Sequence, residues 1–396
     1  MDKYRLDSLE NKRFLEEIRN NLLRFGERFA SPTGASYYLG ADGTPIKDNP
    51  RETWITSRMV HVYSIAAIMG VKGAKELAKK GLNGLCTELH DKKNGGWYAG
   101  VSADGSPLED KQCYAHAFVL LAASSALLAG IDGAKELLDQ AKAVYDKYFW
   151  DENAGLARDT WNTEFTKCSS YRGLNANMHS VEAFLAVADA TGDEEYRSRA
   201  GRIIKHVLQW AEANNWRIPE HFSEDWKPML DYNKEYPEDR FKPFGSTPGH
   251  GIEWARLVVQ YSEGNLDAAM KLFDRAVLDG WKWDNKGGFA YTADWNGKPV
   301  VKDRYHWTLA EGINTAAVLY RLSGKHEYSS FYSEEMEYLD KKVLDHDKGS
   351  WFHQLDEDGH VRTNVWPGKP DLYHAFQATL IPYLPNGVSI AKAVID

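Results

Sequence analysis

A chain of 396 residues, 43% hydrophobic and 27% charged, buries a large core and is not disordered. Its net charge of −9, with both signs interspersed, leaves no basic stripe for a phosphate backbone and excludes nucleic acid as a partner. Cys86, Cys113 and Cys168 form no CxxC pair, which excludes a disulfide framework and a thiolate zinc cluster. Fourteen Trp and 21 Tyr suit a cavity that holds hydroxyl-rich ligands.

The amino-terminal stretch MDKYRLDSLENKRFLEEIRNN is charged and helix-like, so no signal peptide is expected and the protein is placed in the cytoplasm. After the loop GASYYLGADG comes WITSRMVHVYSIAAIM, a helix apolar on most sides that ends at Gly70. The amphipathic VKGAKELAKKGLNGL follows, then the glycine-aromatic loop NGGWYAGVSADG and the apolar CYAHAFVLLAASSALL, which ends at Gly130. The run from Phe118 to Ile131 contains Ser and Gly and is expected as a core helix, not a membrane span.

The same order then recurs. GAKEL at Gly73 to Leu77 returns at Gly133 to Leu137, and helix-ending glycines are expected at Gly70, Gly130, Gly192, Gly264 and Gly324, spaced by 60, 62, 72 and 60 residues. NAGLARDTWN, EHFSEDW, KGGFAYTADWNG and KGSWFHQLDEDG supply further loops with small hairpins. NMHSVEAFLAVADA, GHGIEWARLVVQ, TLAEGINTAAVLYRL and YHAFQATLIPYL supply further apolar helices, and DEEYRSRAGRIIKHVLQWA and LDAAMKLFDRAVL further amphipathic ones. A hairpin alone cannot bury its apolar helix, whereas six of them closed in a ring can. The expected fold is all-α, an (α/α)6 barrel forming one catalytic domain over residues 1–396, with a superhelical solenoid as the alternative.

The long loops all precede inner helices, so the pocket belongs at that end of the barrel. Polar residues near the starts of the inner helices recur with the repeat: Arg58, His116, His179, His250, Trp307 with Glu311, and His374. Equivalent positions in a ring converge on its axis. His116, beside Tyr114 and Gln112, fits a pocket or a packing role, and Arg58 fits a pocket or a buried ion pair with Glu52. His61 and His206 are expected as hydrogen-bonded core histidines. Glu182 follows His179 as Glu253 follows His250, three residues on, so either carboxylate could orient a histidine.

HxxE spacing can present two metal ligands, but a di-metal helical site needs more carboxylates, and HExxH is absent. No metal is expected, and without a P-loop or GxGxxG no nucleotide cofactor is expected either. Histidines at the inner ends suit proton shuttling next to a carbonyl, where a glycosidase would need two carboxylates. The partner is a monosaccharide; a sugar-binding barrel without catalysis is the non-enzymatic alternative.

The blocks WITSRMVHVYS, KNGGWYA, YRGLNANMHSVEAF, DYNKEYPEDRFKPFGSTPGHGIEWARL, YTADWNGKPVV and KPDLYHAF resemble the N-acylglucosamine 2-epimerase superfamily, most closely its branch of mannose and sulfoquinovose isomerases. The resemblance implies aldose-ketose interconversion through a cis-enediol without metal or cofactor. It makes His374 the base between C2 and C1 and His250 the residue of ring opening and partner acid/base. Arg58, His179, Asn175 and Glu253 would position hydroxyls and polarise O1 and O2, with Trp54, Tyr114, Arg240 and Trp307 completing the pocket. Sulfoquinovose-type relatives carry glutamines where this chain has His353 and Pro370, which favours a neutral sugar: D-mannose to D-fructose, with D-lyxose to D-xylulose a further candidate. Mannose/glucose 2-epimerisation and sulfoquinovose isomerisation are the alternatives.

Overall fold

The computed structural model describes residues 2–396. Helix α1 (Leu9–Gly26) is followed by five helical hairpins: α2 (Thr53–Ile68) with α3 (Ala74–Cys86), α4 (Cys113–Leu128) with α5 (Ala134–Val144), α6 (Leu174–Thr191) with α7 (Glu194–Ala213), α8 (Pro248–Tyr261) with α9 (Leu266–Ala276), and α10 (His306–Ser323) with α11 (His326–Tyr338). The short helices α12 (Tyr373–Gln377) and α13 (Ile390–Ile395) follow.

The two helix sets differ as their sequences demand. In α9 the buried residues Ala269, Leu272, Phe273 and Ala276 recur three and four apart, one stripe of an amphipathic helix. In α2 every residue from Thr53 to Ala66 is buried. A helix apolar all round needs neighbours on every side, and the even-numbered helices find them in a ring. Helix α2 packs on α4, α4 on α6, α6 on α8, α8 on α10, α10 on α12, and α12 again on α2. The ring is closed, so the fold is the (α/α)6 barrel and not a solenoid. Each Leu or Phe buried in it stabilises the barrel by about 1.5–3 kcal/mol over an exposed one. Among the described residues no helix is long and apolar enough to cross a membrane.

The glycine-aromatic loops form short antiparallel pairs within themselves, and further pairs link neighbouring repeats. Arg51–Glu52, just before α2, pairs with Gly100–Val101 of the next loop, and Lys111–Gln112, before α4, pairs with Thr160–Trp161. Arg172–Gly173 before α6 pairs with His221–Phe222, and Arg304–Tyr305 before α10 with Gln354–Leu355. Before α8 the link is the bridge Ser246 to Ala293. Before α12 the Lys369 N–H donates to the Leu39 carbonyl at 2.8 Å, which joins the last loop to the first. Every inner helix is therefore preceded by backbone pinned to another loop at the barrel mouth.

Two expectations are corrected. YHAFQATLIPYL is not a full inner helix: the Thr379 hydroxyl takes the Phe376 carbonyl at 2.7 Å, the backbone tightens into three-residue turns, and Pro382 has no N–H to continue the ladder. Gly264 does not end a helix. Helix α8 stops at Tyr261, and the Ser262 hydroxyl accepts from the Gly264 N–H in the turn that follows. Gly192 and Gly324 do end helices, with φ of 74° and 71° that only glycine adopts without strain.

Candidate active site

Common register places side chains from the six inner helices in tiers around the axis. The second residues of the helices are Trp54, Tyr114, Asn175, Gly249, Trp307 and His374, and the sixth residues of the first five are Arg58, Phe118, His179, Glu253 and Glu311. Positions four apart share a helix face, so both tiers point inward. One cleft at the mouth is lined by Trp54, Arg58, Tyr114, Asn175, His179, Arg240, His250, Glu253, Trp307 and His374, ten of the twelve residues expected there.

Two histidines in this cleft are held in the same way. His374 Nδ1 lies 3.0 Å from Glu311 Oε1, and His250 Nδ1 lies 2.9 Å from Glu220 Oε1. An ionised carboxylate only accepts, so each Nδ1 carries a proton, and in a neutral imidazole held this way Nε2 is the nitrogen left with a lone pair. The Trp307 ring lies between them, its centroid 5.2 Å from His250 and 5.8 Å from His374. Burial lowers the His374 pKa below the ordinary histidine value, partly offset by the Glu311 hydrogen bond.

Arg58 stands beside His374, its Nη2 3.5 Å from Nε2. The guanidinium donates to Asp371 Oδ2 at 3.2 Å and to the Tyr114 hydroxyl at 3.1 Å. It lies 4.6 Å from the ring centroids of Phe118 and Tyr373 and 4.7 Å from that of Trp54, which fixes its plane. Its ion-pair partner is thus Asp371, not Glu52, which is engaged by the Tyr38 hydroxyl. Arg240 arrives from the loop before α8, donating to the Tyr38 hydroxyl at 2.9 Å and lying 4.1 Å from the Trp366 ring centroid.

Beneath the cleft the axis is polar. Arg256 Nε donates to Glu311 Oε2 at 2.8 Å, and its Nη2 lies 3.8 Å from Glu253 Oε1. Burial pushes both carboxyls up, but for Glu311 the Arg256 charge and the His374 hydrogen bond outweigh it and hold the group below its ordinary range. Glu253 stays well above, raised by burial and then by the Glu311 charge. Its Oε1 is buried without a hydrogen-bond partner, and its carboxyl lines the cleft. His179 Nδ1 lies 3.5 Å from Glu182 and 3.9 Å from Glu253, and burial brings its pKa down to about 4. His179, Glu182 and Glu253, and again Glu253, Glu311 and His374, bring ligand-type atoms within 4.8 Å of one another. The Arg256 guanidinium sits against these carboxylates, 2.8 Å from Glu311 and 3.8 Å from Glu253.

His116 is the correction. It is the fourth residue of α4, half a turn away from the inward tiers. Its Nε2 accepts from the Trp97 N–H at 3.1 Å, its Nδ1 meets the Gln112 carbonyl at 2.7 Å, and its ring packs against Trp97, Phe149 and Phe165. Glu311 lies behind His374 instead of on the cleft wall. His61, bonded to Ser125 Oγ at 2.7 Å, and His206, whose Nε2 meets the Ala154 carbonyl at 3.0 Å, are structural as expected.

Glu220, Phe241, Tyr291, His306, Trp366 and Asp371 are the residues that sequence reasoning missed, while His353, read from the sequence only as a departure from the sulfoquinovose-type pattern, also lines the cleft. Most lie on loops with no helical period. Asp371 and His306 carried a signal, as each sits within three residues of an expected inner-tier position. His306 and His353 stack with ring centroids 3.7 Å apart, and burial brings His306 down to about 3 and His353 well below the ordinary value, so this wall is uncharged.

A helical ring with two carboxylate-backed histidines at its mouth defines an isomerase or epimerase of the (α/α)6-barrel class. The model of the N-acylglucosamine 2-epimerase (GlcNAc 2-epimerase) family matches residues 34–378, and the chain belongs to that family. It is 43% identical over 354 residues to a D-mannose isomerase of Pseudomonas cannabina pv. alisalensis, covering 86% of this chain and 85% of the relative. It is 40% identical to a D-mannose isomerase of Thermobifida fusca, covering 97% of each. A crystal structure of a D-mannose isomerase superposes with a TM-score of 0.87 at 28% identity, covering 93% of this chain and 97% of the other.

Proposed function

We propose that the protein is an aldose-ketose isomerase that interconverts D-mannose and D-fructose, with the barrel acting as one catalytic domain and no metal taking part. The observation that carries this reading is the pair of carboxylate-backed histidines in one cleft, with Arg58 Nη2 3.5 Å from His374 Nε2. After ring opening, to which His250 contributes by moving a proton between the anomeric hydroxyl and the ring oxygen, C2–H faces His374. Its Nε2 takes the proton, the C–H electrons form the C1–C2 double bond, and the former carbonyl oxygen takes a proton, giving the cis-enediol. The O2 hydroxyl then releases its proton, C2–O2 becomes the ketone, and His374 returns its proton to C1. The proton released at O2 makes up the one gained at O1, and the C2 hydrogen becomes the C1 hydrogen, so atoms and electrons balance within the sugar.

Charge develops on O1 and O2 during this transfer. Arg58, held by Asp371 and Tyr114, is placed to donate to those oxygens, and Glu253, whose pKa burial raises, can donate beside it when it carries its proton. The amino ends of the inner helices face the same space and favour negative charge. Asn175, His179, Arg240, Trp54, Tyr114 and Trp307 shape the remainder. The uncharged His306–His353 wall and Pro370 support a neutral sugar over a sulfonate, and D-lyxose, which lacks C6, fits the same cleft chemistry.

The second reading is mannose/glucose 2-epimerisation, which the two facing histidines favour because C2 could be reprotonated from the other side. Purified protein is incubated with mannose, glucose or sulfoquinovose and the products are followed by NMR. Fructose as the first product from mannose supports the isomerase; glucose first supports the epimerase.

A further inference from the structure

We propose that Arg256, which lines no part of the sugar cleft, is a positioning residue for proton transfer: its Nε–H bond to Glu311 keeps that carboxylate ionised and thereby locks His374 in the tautomer whose bare Nε2 meets the substrate. The proposal deepens the isomerase reading and rests on it.

The geometry is a relay of three residues from three different inner helices. Arg256 of α8 donates to Glu311 Oε2 at 2.8 Å, and Glu311 of α10 receives His374 Nδ1–H on its other oxygen at 3.0 Å. All three side chains are buried, Glu311 and Arg256 at 0% and 3% exposure. Water therefore cannot stabilise the carboxylate, and that falls to the guanidinium. Arg256 Nη1 points away from the cleft to Gln260 Oε1 at 3.5 Å, and the residue borders a small cavity at the opposite end of the barrel.

The other charges in reach do not substitute for it. Glu311 is faced by Glu253 of α8, which is like-charged when ionised, and by His374 of α12, with Glu182 of α6 acting on the same guanidinium. His374 is faced by Arg58, Asp371, His179, His306 and His353. Arg58 is committed to Asp371, which leaves Arg256 to hold Glu311.

Without the guanidinium, burial pushes the Glu311 carboxyl up until it takes a proton. A protonated Glu311 donates to His374 Nδ1, the imidazole proton moves to Nε2, and the base presents a donor where the reaction needs a lone pair. Raising the pH ionises Glu311 again and restores the productive tautomer. An amide at position 311 disturbs the same bond but has no proton to lose.

The test compares kcat and KM for mannose across pH in wild type, Arg256→Met, Arg256→Lys and Glu311→Gln, together with the ring ¹⁵N shifts of His374 in the unaltered protein. Arg256→Met should lose about 10²-fold in kcat at neutral pH with KM little changed, and should recover part of it as pH rises. Arg256→Lys should keep most activity, and Glu311→Gln should lose a similar factor at every pH. Loss in Arg256→Met that is constant with pH, or kcat within about threefold of wild type, overturns the proposal. If Arg256→Met does not fold, the ¹⁵N shifts decide: protonated Nδ1 with bare Nε2 is expected, and the reverse overturns it. Wild type that leaves mannose unchanged while showing the expected tautomer contradicts the isomerase reading and not the relay.

Discussion

Gly249 lies against the indole of Trp307 so closely that a Cβ at 249 would sit 2.7 Å from two of its ring carbons. It is the second residue of α8, where other inner helices carry Trp54, Tyr114, Asn175, Trp307 or His374, and its lack of a side chain makes room for the ring between the two histidines. Gly249→Ala should therefore push Trp307 toward the cleft, lowering kcat at least about tenfold and destabilising the fold by about 1–3 kcal/mol. Steady-state kinetics and chemical denaturation check both, and a variant equal to wild type in kcat would show that Trp307 does not space the histidines.

His374→Gln and His250→Gln should each cut kcat by about 10² to 10⁴, the span of a placed acid or base, while melting cooperatively like wild type. Retained turnover in either variant removes that histidine from the proton path.

The pH dependence follows from burial. His374 must be unprotonated to act, and its value lies below the ordinary 6.5, so the acid limb of kcat/KM should have its midpoint below pH 6.5. His61 and His179 are brought down to about 4 and His116 and His306 to about 3, each first by desolvation. Folded, they stay neutral where the unfolded chain takes up protons, so their contribution to stability is full above pH 6.5 and is lost progressively as pH falls toward 4 and 3. Urea denaturation at pH 7 and pH 5 should show the lower midpoint at pH 5; equal midpoints contradict the burial of these imidazoles as neutral groups.

Exhaustive chelation should leave the rate of mannose turnover unchanged, because the Arg256 guanidinium already provides the positive charge beside Glu253 and Glu311. Activity that vanishes and returns with a divalent ion contradicts this.

The barrel was legible because the inner helices are apolar on most sides and the outer ones on one, a pattern that a ring or a solenoid buries, and the contact of α12 with α2 decides for the ring. The site was legible where helical register carries it: Arg58, His179, Glu253 and Glu311 occupy one position in four helices. His116 shares the spacing only approximately, and the two residues by which it misses that position turn it toward the outer layer. Glu220 was hidden for another reason: it lies next to a strand whose position depends on pairing with the neighbouring repeat, which no local period records. Arg58 lines the pocket as expected, and its carboxylate partner is Asp371 and not the Glu52 weighed from the sequence, because α12 closes the ring against α2.

The central claim is that one histidine, His374, moves a proton between C2 and C1 on one face of an enediol. Mannose deuterated at C2 tests it most directly, with products followed by NMR from the earliest times. The account predicts fructose as the first product, with a measurable fraction carrying deuterium at C1 wherever return is faster than exchange with water. Glucose formed before fructose, its C2 hydrogen drawn from solvent, would contradict it.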